Sequence, residues 1–233
     1  MHVTAQLAVS IATTTVGFAA VTGDPDKDPH MMKLLQEARH NIDSKNPAAA
    51  LPKCDSVISA YKAHYGDAKQ KIYCARTPEE SLGVLLKAAA DKNNAIALSA
   101  RWSDACFMKA YALEDLGRTA EAKASLQEAL KMSPFNAQYL AEMGQIYARE
   151  KNWPKAEQLY REAEDNASLS PPVSKAEDLA RARRGLGYVF VELGKLDEAE
   201  KKYQQCIAAN PNDTKAKAEL QYVRQRKAKA NGR

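Results

Sequence analysis

Residues 180–213 read ARARRGLGYVFVELGKLDEAEKKYQQCIAANPND. Small residues stand at Gly187, Ala199 and Cys206, and large ones at Phe190 and Tyr203. Leu193–Gly194 falls between two helical stretches, and Pro211 closes the second. A helix pair with this alternation can bring its two axes close, because small side chains leave room that large ones fill. Gly194 supplies the positive φ that ends a helix, and the proline stops the next one.

The same columns recur upstream. SDACFMKAYALEDLGRTAEAKASLQEALKMSPFN spans 103–136, and AQYLAEMGQIYAREKNWPKAEQLYREAEDNASLS follows head to tail at 137–170. Numbering each copy from its first residue, position 8 is Ala110, Gly144 and Gly187, and position 20 is Ala122, Ala156 and Ala199. Position 24 is Leu126, Tyr160 and Tyr203, and position 27 is Ala129, Ala163 and Cys206. Two copies are spaced by 34 residues, and the third starts nine residues late, after the inserted PPVSKAEDL. Fixed-period self-similarity is the signature of a stacked array in which each unit buries its neighbour's apolar face.

These columns resemble the tetratricopeptide repeat, whose pattern runs W-x2-L-G-x2-Y, then A-x3-F, then P. The third copy is the closest to it. Position 4 departs from the pattern, with Cys106, Leu140 and Arg183 where Trp is usual, as does Ser168 in place of the closing proline. The resemblance implies an all-α fold: a right-handed superhelical solenoid of antiparallel helix pairs. It implies a non-enzymatic scaffold that holds a protein or peptide segment in its concave groove.

The family's inner wall comes from positions 2, 5, 9 and 12 of first helices. In this chain those are Asp104, Phe107, Tyr111 and Glu114, then Gln138, Ala141, Gln145 and Ala148, then Arg181, Arg184, Tyr188 and Val191. Aromatics supply rigid apolar contact and Arg forks hold carboxylates, so a segment with an acidic end and an apolar anchor fits. The clamp that some members use for chaperone tails needs Lys and Asn at positions 5 and 9, then Asn at position 6 of the next repeat. Phe107, Tyr111 and Glu142 stand there.

Residues 30–102 read as two degenerate helix pairs. MMKLLQEARHNI with AAALPKCDSVISAYKAHY makes the first, and AKQKIYCAR with TPEESLGVLLKAAADK the second. Thr77 with Glu80 makes a capping box and Pro78 sits at the first helical position, so a helix starts sharply there. Thr214–Ala230 is the polar-faced helix that caps a solenoid.

At the N-terminus, Leu7–Ala20 is uncharged and apolar and ends in small residues, with Gly17 and Ala19 placed as at a signal-peptidase site. Residues 1–20 therefore read as a signal peptide and the protein as exported, periplasmic or secreted. The alternative is a disordered arm on a cytoplasmic protein. DPDKDP (Asp24 to Pro29) reads as a flexible spacer over residues 21–29.

The net charge is +5, but residues 214–233 hold seven cations against Glu219, which leaves −1 for residues 1–213. A basic tail of this kind offers a second reading, association with nucleic acid. Cys54, Cys74, Cys106 and Cys206 make no CxxC, and the four histidines are scattered, so no metal site is expected. No phosphate loop, nucleophile elbow or HExxH occurs, and no cofactor or catalytic set is expected. In an exported chain Cys54 and Cys74, on adjoining helices, could close a disulfide.

Overall fold

The computed structural model describes residues 23–231. The signal-peptide reading of residues 1–20 lies outside them. Helices α1 (Pro29–Asp43) and α2 (Pro47–Tyr65) form the first pair. Strand β1 (Lys71–Ala75), helix α3 (Pro78–Ala90) and strand β2 (Ala95–Ser99) follow. Then come α4 (Arg101–Asp115) with α5 (Thr119–Met132), and α6 (Ala137–Arg149) with α7 (Trp153–Asn166). A 3-10 turn at Ala167–Leu169 leads to α8 (Pro172–Glu192), α9 (Leu196–Ala209) and α10 (Thr214–Asn231). Each helix packs on its partner, and α2 on α4, α6 on α8 and α9 on α10 continue the stack. The molecule is an all-helical repeat solenoid carrying one small β insertion.

The small columns sit where helices touch. Ala122, Ala156 and Ala199 have no exposed surface, and neither do Ala129 and Ala163. Tyr203 lies against Gly187 and Tyr160 against Gly144, so a Cβ on either glycine would meet a tyrosine ring at 2.6 or 3.2 Å. Gly117 and Gly194 end first helices at φ +74° and +73°. Lys151, at the same repeat position, adopts φ +57° without glycine's freedom. Helix starts are set by side-chain acceptors: Asp28 takes the His30 N–H, Asn136 those of Gln138 and Tyr139, and Asp213 that of Ala216.

Three readings of the N-terminal half are corrected. AKQKIYCAR is not a helix: Lys71–Ala75 is a strand paired in parallel with Ala95–Ser99, Tyr73 opposite Ala97. Residues 30–102 thus hold one helix pair and a β-α-β unit. Alternation along both strands explains it. Ile72, Cys74 and Leu98 join the main core, while Tyr73, Ala95 and Ala97 pack with Val84 and Ala88 of α3. Parallel strands need a crossover, and α3 is that crossover.

The second correction concerns the spacer, which is docked along its described length. Asp26 accepts hydrogen bonds from the Tyr61 hydroxyl at 2.9 Å and the Ser99 N–H at 3.2 Å, and Asp24 accepts from the Tyr65 hydroxyl at 2.6 Å. Arg101 donates to the Asp26 carbonyl, and Pro25 is buried. The aspartates that mark this stretch as polar are the groups that tie it to α2, β2 and α4.

The third is one half of the Thr77–Glu80 capping box, the bond back from Glu80. Thr77 accepts the Glu80 N–H at 3.0 Å as expected, but the Glu80 carboxylate reaches back to the Arg76 N–H at 2.7 Å. The PPVSKAEDL insertion, finally, is helical and lengthens α8 to 21 residues at its N-terminal end.

Candidate functional site

First helices α4, α6 and α8, with the end of α1, enclose a groove of about 410 Å³. Its apolar lining is Phe107, Met108, Ile146 and Leu126, with Ile42 from α1. Tyr111 stands at its edge, 46% exposed, and Gln145 is exposed beside it. Arg39, Arg149 and Arg181 line it together with Asp43, Glu114, Asp115 and Glu142, so both signs of charge face the space. Arg149 pairs with Glu114 and Arg181 with Glu142 across neighbouring first helices. A smaller cavity of about 340 Å³ continues along Gln145, Arg181, Arg184 and Lys215.

Eight of the inner-wall residues named from sequence divide into three groups. Phe107, Tyr111, Gln138, Gln145 and Arg181 line the main groove. Phe107 forms part of its floor and not an open wall: it is 6% exposed and stacks on Tyr139 with ring centroids 4.8 Å apart. Arg184 lies in the adjoining cavity, held by Asp213 at 2.7 Å and Glu177 at 2.6 Å. Asp104 and Tyr188 line neither space. Asp104 accepts the Tyr139 hydroxyl, and burial holds its carboxyl above the ordinary value against that bond. Tyr188 meets Trp153 edge to face at 6.1 Å. Sequence reasoning missed Arg39, Ile42 and Asp43, because no repeat column reaches α1. It also missed Met108 and Ile146, which lie between the family's wall positions, and Arg149, one residue past the last of them.

Three of the six described cations of the basic C-terminal stretch bond to the rest of the solenoid. Arg224 bonds Glu200 at 2.9 Å, and Lys227 bonds Asp197 and Glu200 at 2.6 and 2.7 Å. Arg226 donates to the Val191 carbonyl. Ala216 and Val223 have no exposed surface, and Leu220 is buried with them. Those contacts favour the capping role over a free polycationic surface. The four cysteines are buried free thiols. Burial raises Cys54, Cys74 and Cys106 to about 12 and Cys206 to about 11, far from the thiolate range. Among the described residues no group of three His, Cys, Asp or Glu is placed to hold a metal ion. No described helix is long and apolar enough to cross a membrane.

Known proteins agree with the repeat and stop there. Residues 107–171 match one tetratricopeptide-repeat family model, and residues 180–213 match a second. The chain therefore contains tetratricopeptide repeats over these two stretches. A comparison with curated proteins found no match. Among solved structures, pilF of Pseudomonas aeruginosa is 15% identical, with a TM-score of 0.61 over 87% of this chain and 71% of its own. A MamA double mutant labelled RS-1 is 15% identical, with a TM-score of 0.55 over 89% and 87%. MamA labelled MSR-1 is 13% identical, with a TM-score of 0.52 over 86% and 88%. At such identities these likenesses speak for the fold alone.

Proposed function

We propose that this protein is a non-enzymatic scaffold that holds a segment of a protein partner in the groove between α1, α4, α6 and α8. The observation that carries the reading is the 410 Å³ groove itself, with an apolar floor and an exposed tyrosine at its edge. A rigid aromatic on a concave wall is the side-chain type that dominates interface energetics. Because Arg181 and Arg184 already have carboxylate partners, the segment that fits best carries an apolar anchor and charges of both signs. That revises the acidic end expected from the arginines alone. Export of the protein rests on Leu7–Ala20 and is tested by sequencing the N-terminus of the protein recovered from cell fractions.

The groove is tested by quantitative affinity capture from the native cell with the intact chain and with Tyr111→Ala plus Gln145→Ala. Both side chains point into solvent, so helical content and melting stay close to those of the parent. Recovery of the specific partner falls at least about tenfold, the effect of losing an interface anchor. Full recovery by the double variant places the partner on another face and refutes the groove.

A further inference from the structure

Helix α3 buries Glu80, Val84 and Ala88 against the strands and leaves its opposite face bare. On that face Leu82 is 60%, Leu85 39% and Leu86 61% exposed, and Ala89 is exposed one turn further on. The spacing 82, 85, 86, 89 is a continuous helical stripe. Isolated exposed leucines are ordinary, but three on one stripe of a short helix form a patch of the kind that marks an interface.

The stripe is self-complementary. Set α3 antiparallel to a copy of itself, with a two-fold axis midway between Leu85 and Leu86. Leu85 of each helix then meets Leu86 of the other, and bulky Leu82 faces small Ala89. The same operation sets Glu79 at the start of one helix opposite Lys92 just past the end of the other. Both residues are exposed, and neither has an ion-pair partner among the described residues. Lys87, the other cation on the helix, is held by Asp91 at 3.2 Å. One axis thus satisfies the apolar contacts and the two charge pairs together, the signature of an isologous contact.

We propose that the outer face of α3 is a homotypic docking surface that joins two copies of this chain through antiparallel α3 helices. The helix is about 20 Å long. A single helix pair of that length buries less than the roughly 1,200 Å² of a standard interface, so the dimer is weak and reversible. This surface is separate from the groove, and a dimer presents two grooves.

Sedimentation velocity of the full chain across the micromolar to millimolar range tests it. The expected result is a shift from monomer to dimer, and Leu85→Glu abolishes it because the charge enters twice at the axis. Circular dichroism controls for folding, since Leu85 faces outward. Glu79→Lys, which opposes Lys92 of the second copy, weakens association about tenfold, and Glu79→Lys with Lys92→Glu restores it. A protein that stays monomeric at every concentration, or a Leu85→Glu variant that still dimerises, overturns the proposal. So does a charge exchange that fails to restore association. A monomer that binds vesicles containing anionic lipid, and loses that binding on Leu85→Glu, overturns it in favour of a membrane surface.

Discussion

Tyr160 is clamped between two glycines, and the clamp gives the stacking of the second and third repeats a measurable weakness. Its ring lies against Gly144 of its own repeat, where a Cβ would sit 3.2 Å from ring atoms. On the other side is Gly185 of the next repeat, where a Cβ would fall 2.1 Å from the ring. Both glycines lie inside helices, so replacing either by alanine gains about 1 kcal/mol of helix propensity. At Gly144 the ring needs to give only a few tenths of an ångström, and the two effects roughly cancel. At Gly185 no such adjustment suffices, because Tyr160 is buried, and either the ring or helix α8 must move. Overpacking of this kind costs about 1–3 kcal/mol. We expect Gly185→Ala to destabilise by about 1 kcal/mol net and to lower melting by about 2–4 °C, while Gly144→Ala stays within about 1 °C. In a Tyr160→Leu background the steric term disappears, and Gly185→Ala becomes neutral or stabilising, a coupling read from a double-mutant cycle in urea. If Gly185→Ala matches the parent with Tyr160 in place, or the cycle shows no coupling, the ring is not the element that joins these repeats.

Two further perturbations address buried charge. Arg76→Met leaves the Glu80 and Asp178 carboxylates, both 3% exposed, without their cation; the cost is about 3–5 kcal/mol. Hydrogen exchange should then rise at residues 71–76 and 167–178 together, and a change at one stretch alone speaks against a shared network. Burial pushes the Glu164 carboxyl up, but Lys202 and Arg183 outweigh it and hold the group below the ordinary value. A depressed folded value adds stability that is present above the unfolded value, about 4.3, and is lost as pH falls through the folded one. Melting should be level from pH 7 to about 5 and drop below about 4. Glu164→Gln should melt lower at pH 7 and show a smaller acid-side drop; an unchanged drop removes Glu164 from the account.

The repeats at 103–213 were legible because their information is local in each unit. A column of alanines with a tyrosine four residues on states which faces touch, and Ala156, Tyr160 and Ala163 lie as that pattern demands. Strand β1 was not legible, since the strand preference of Ile72 and Tyr73 sits in a run of only five residues flanked by Ala, Lys, Gln and Arg. What makes Lys71–Ala75 a strand is Ala95–Ser99, on the far side of α3. The spacer failed for the same reason: Asp24 and Asp26 look solvated until the hydroxyls of Tyr61 and Tyr65 arrive from α2. The groove was half legible. Repeat position gave Tyr111, Gln145 and Arg181. It could not give the stacking of Tyr139 that turns Phe107 into floor, or the carboxylates from other helices that neutralise Arg184.

The two places where the repeat pattern breaks are joined in space. The β-α-β unit interrupts the array at 71–99, and the insertion at 171–179 delays its third repeat. Arg76, at the end of β1, donates to Ser170 at 3.2 Å and reaches Asp178 within the insertion at 3.4 Å. Thr77 donates to the Leu169 carbonyl at 3.1 Å. Between these points Ser133 donates to the Cys74 carbonyl at 2.8 Å, and the Phe135 ring lies over Gly83. The unit therefore runs along one edge of the solenoid, touching the loop after α5 and the loop after α7. In an array whose units contact only their neighbours, curvature is free to vary at every junction. A rigid piece bonded to two successive junctions removes that freedom. Those junctions space α4, α6 and α8, the helices whose inner faces make the groove, so an edge brace over 90 residues of sequence separation fixes the width of that groove.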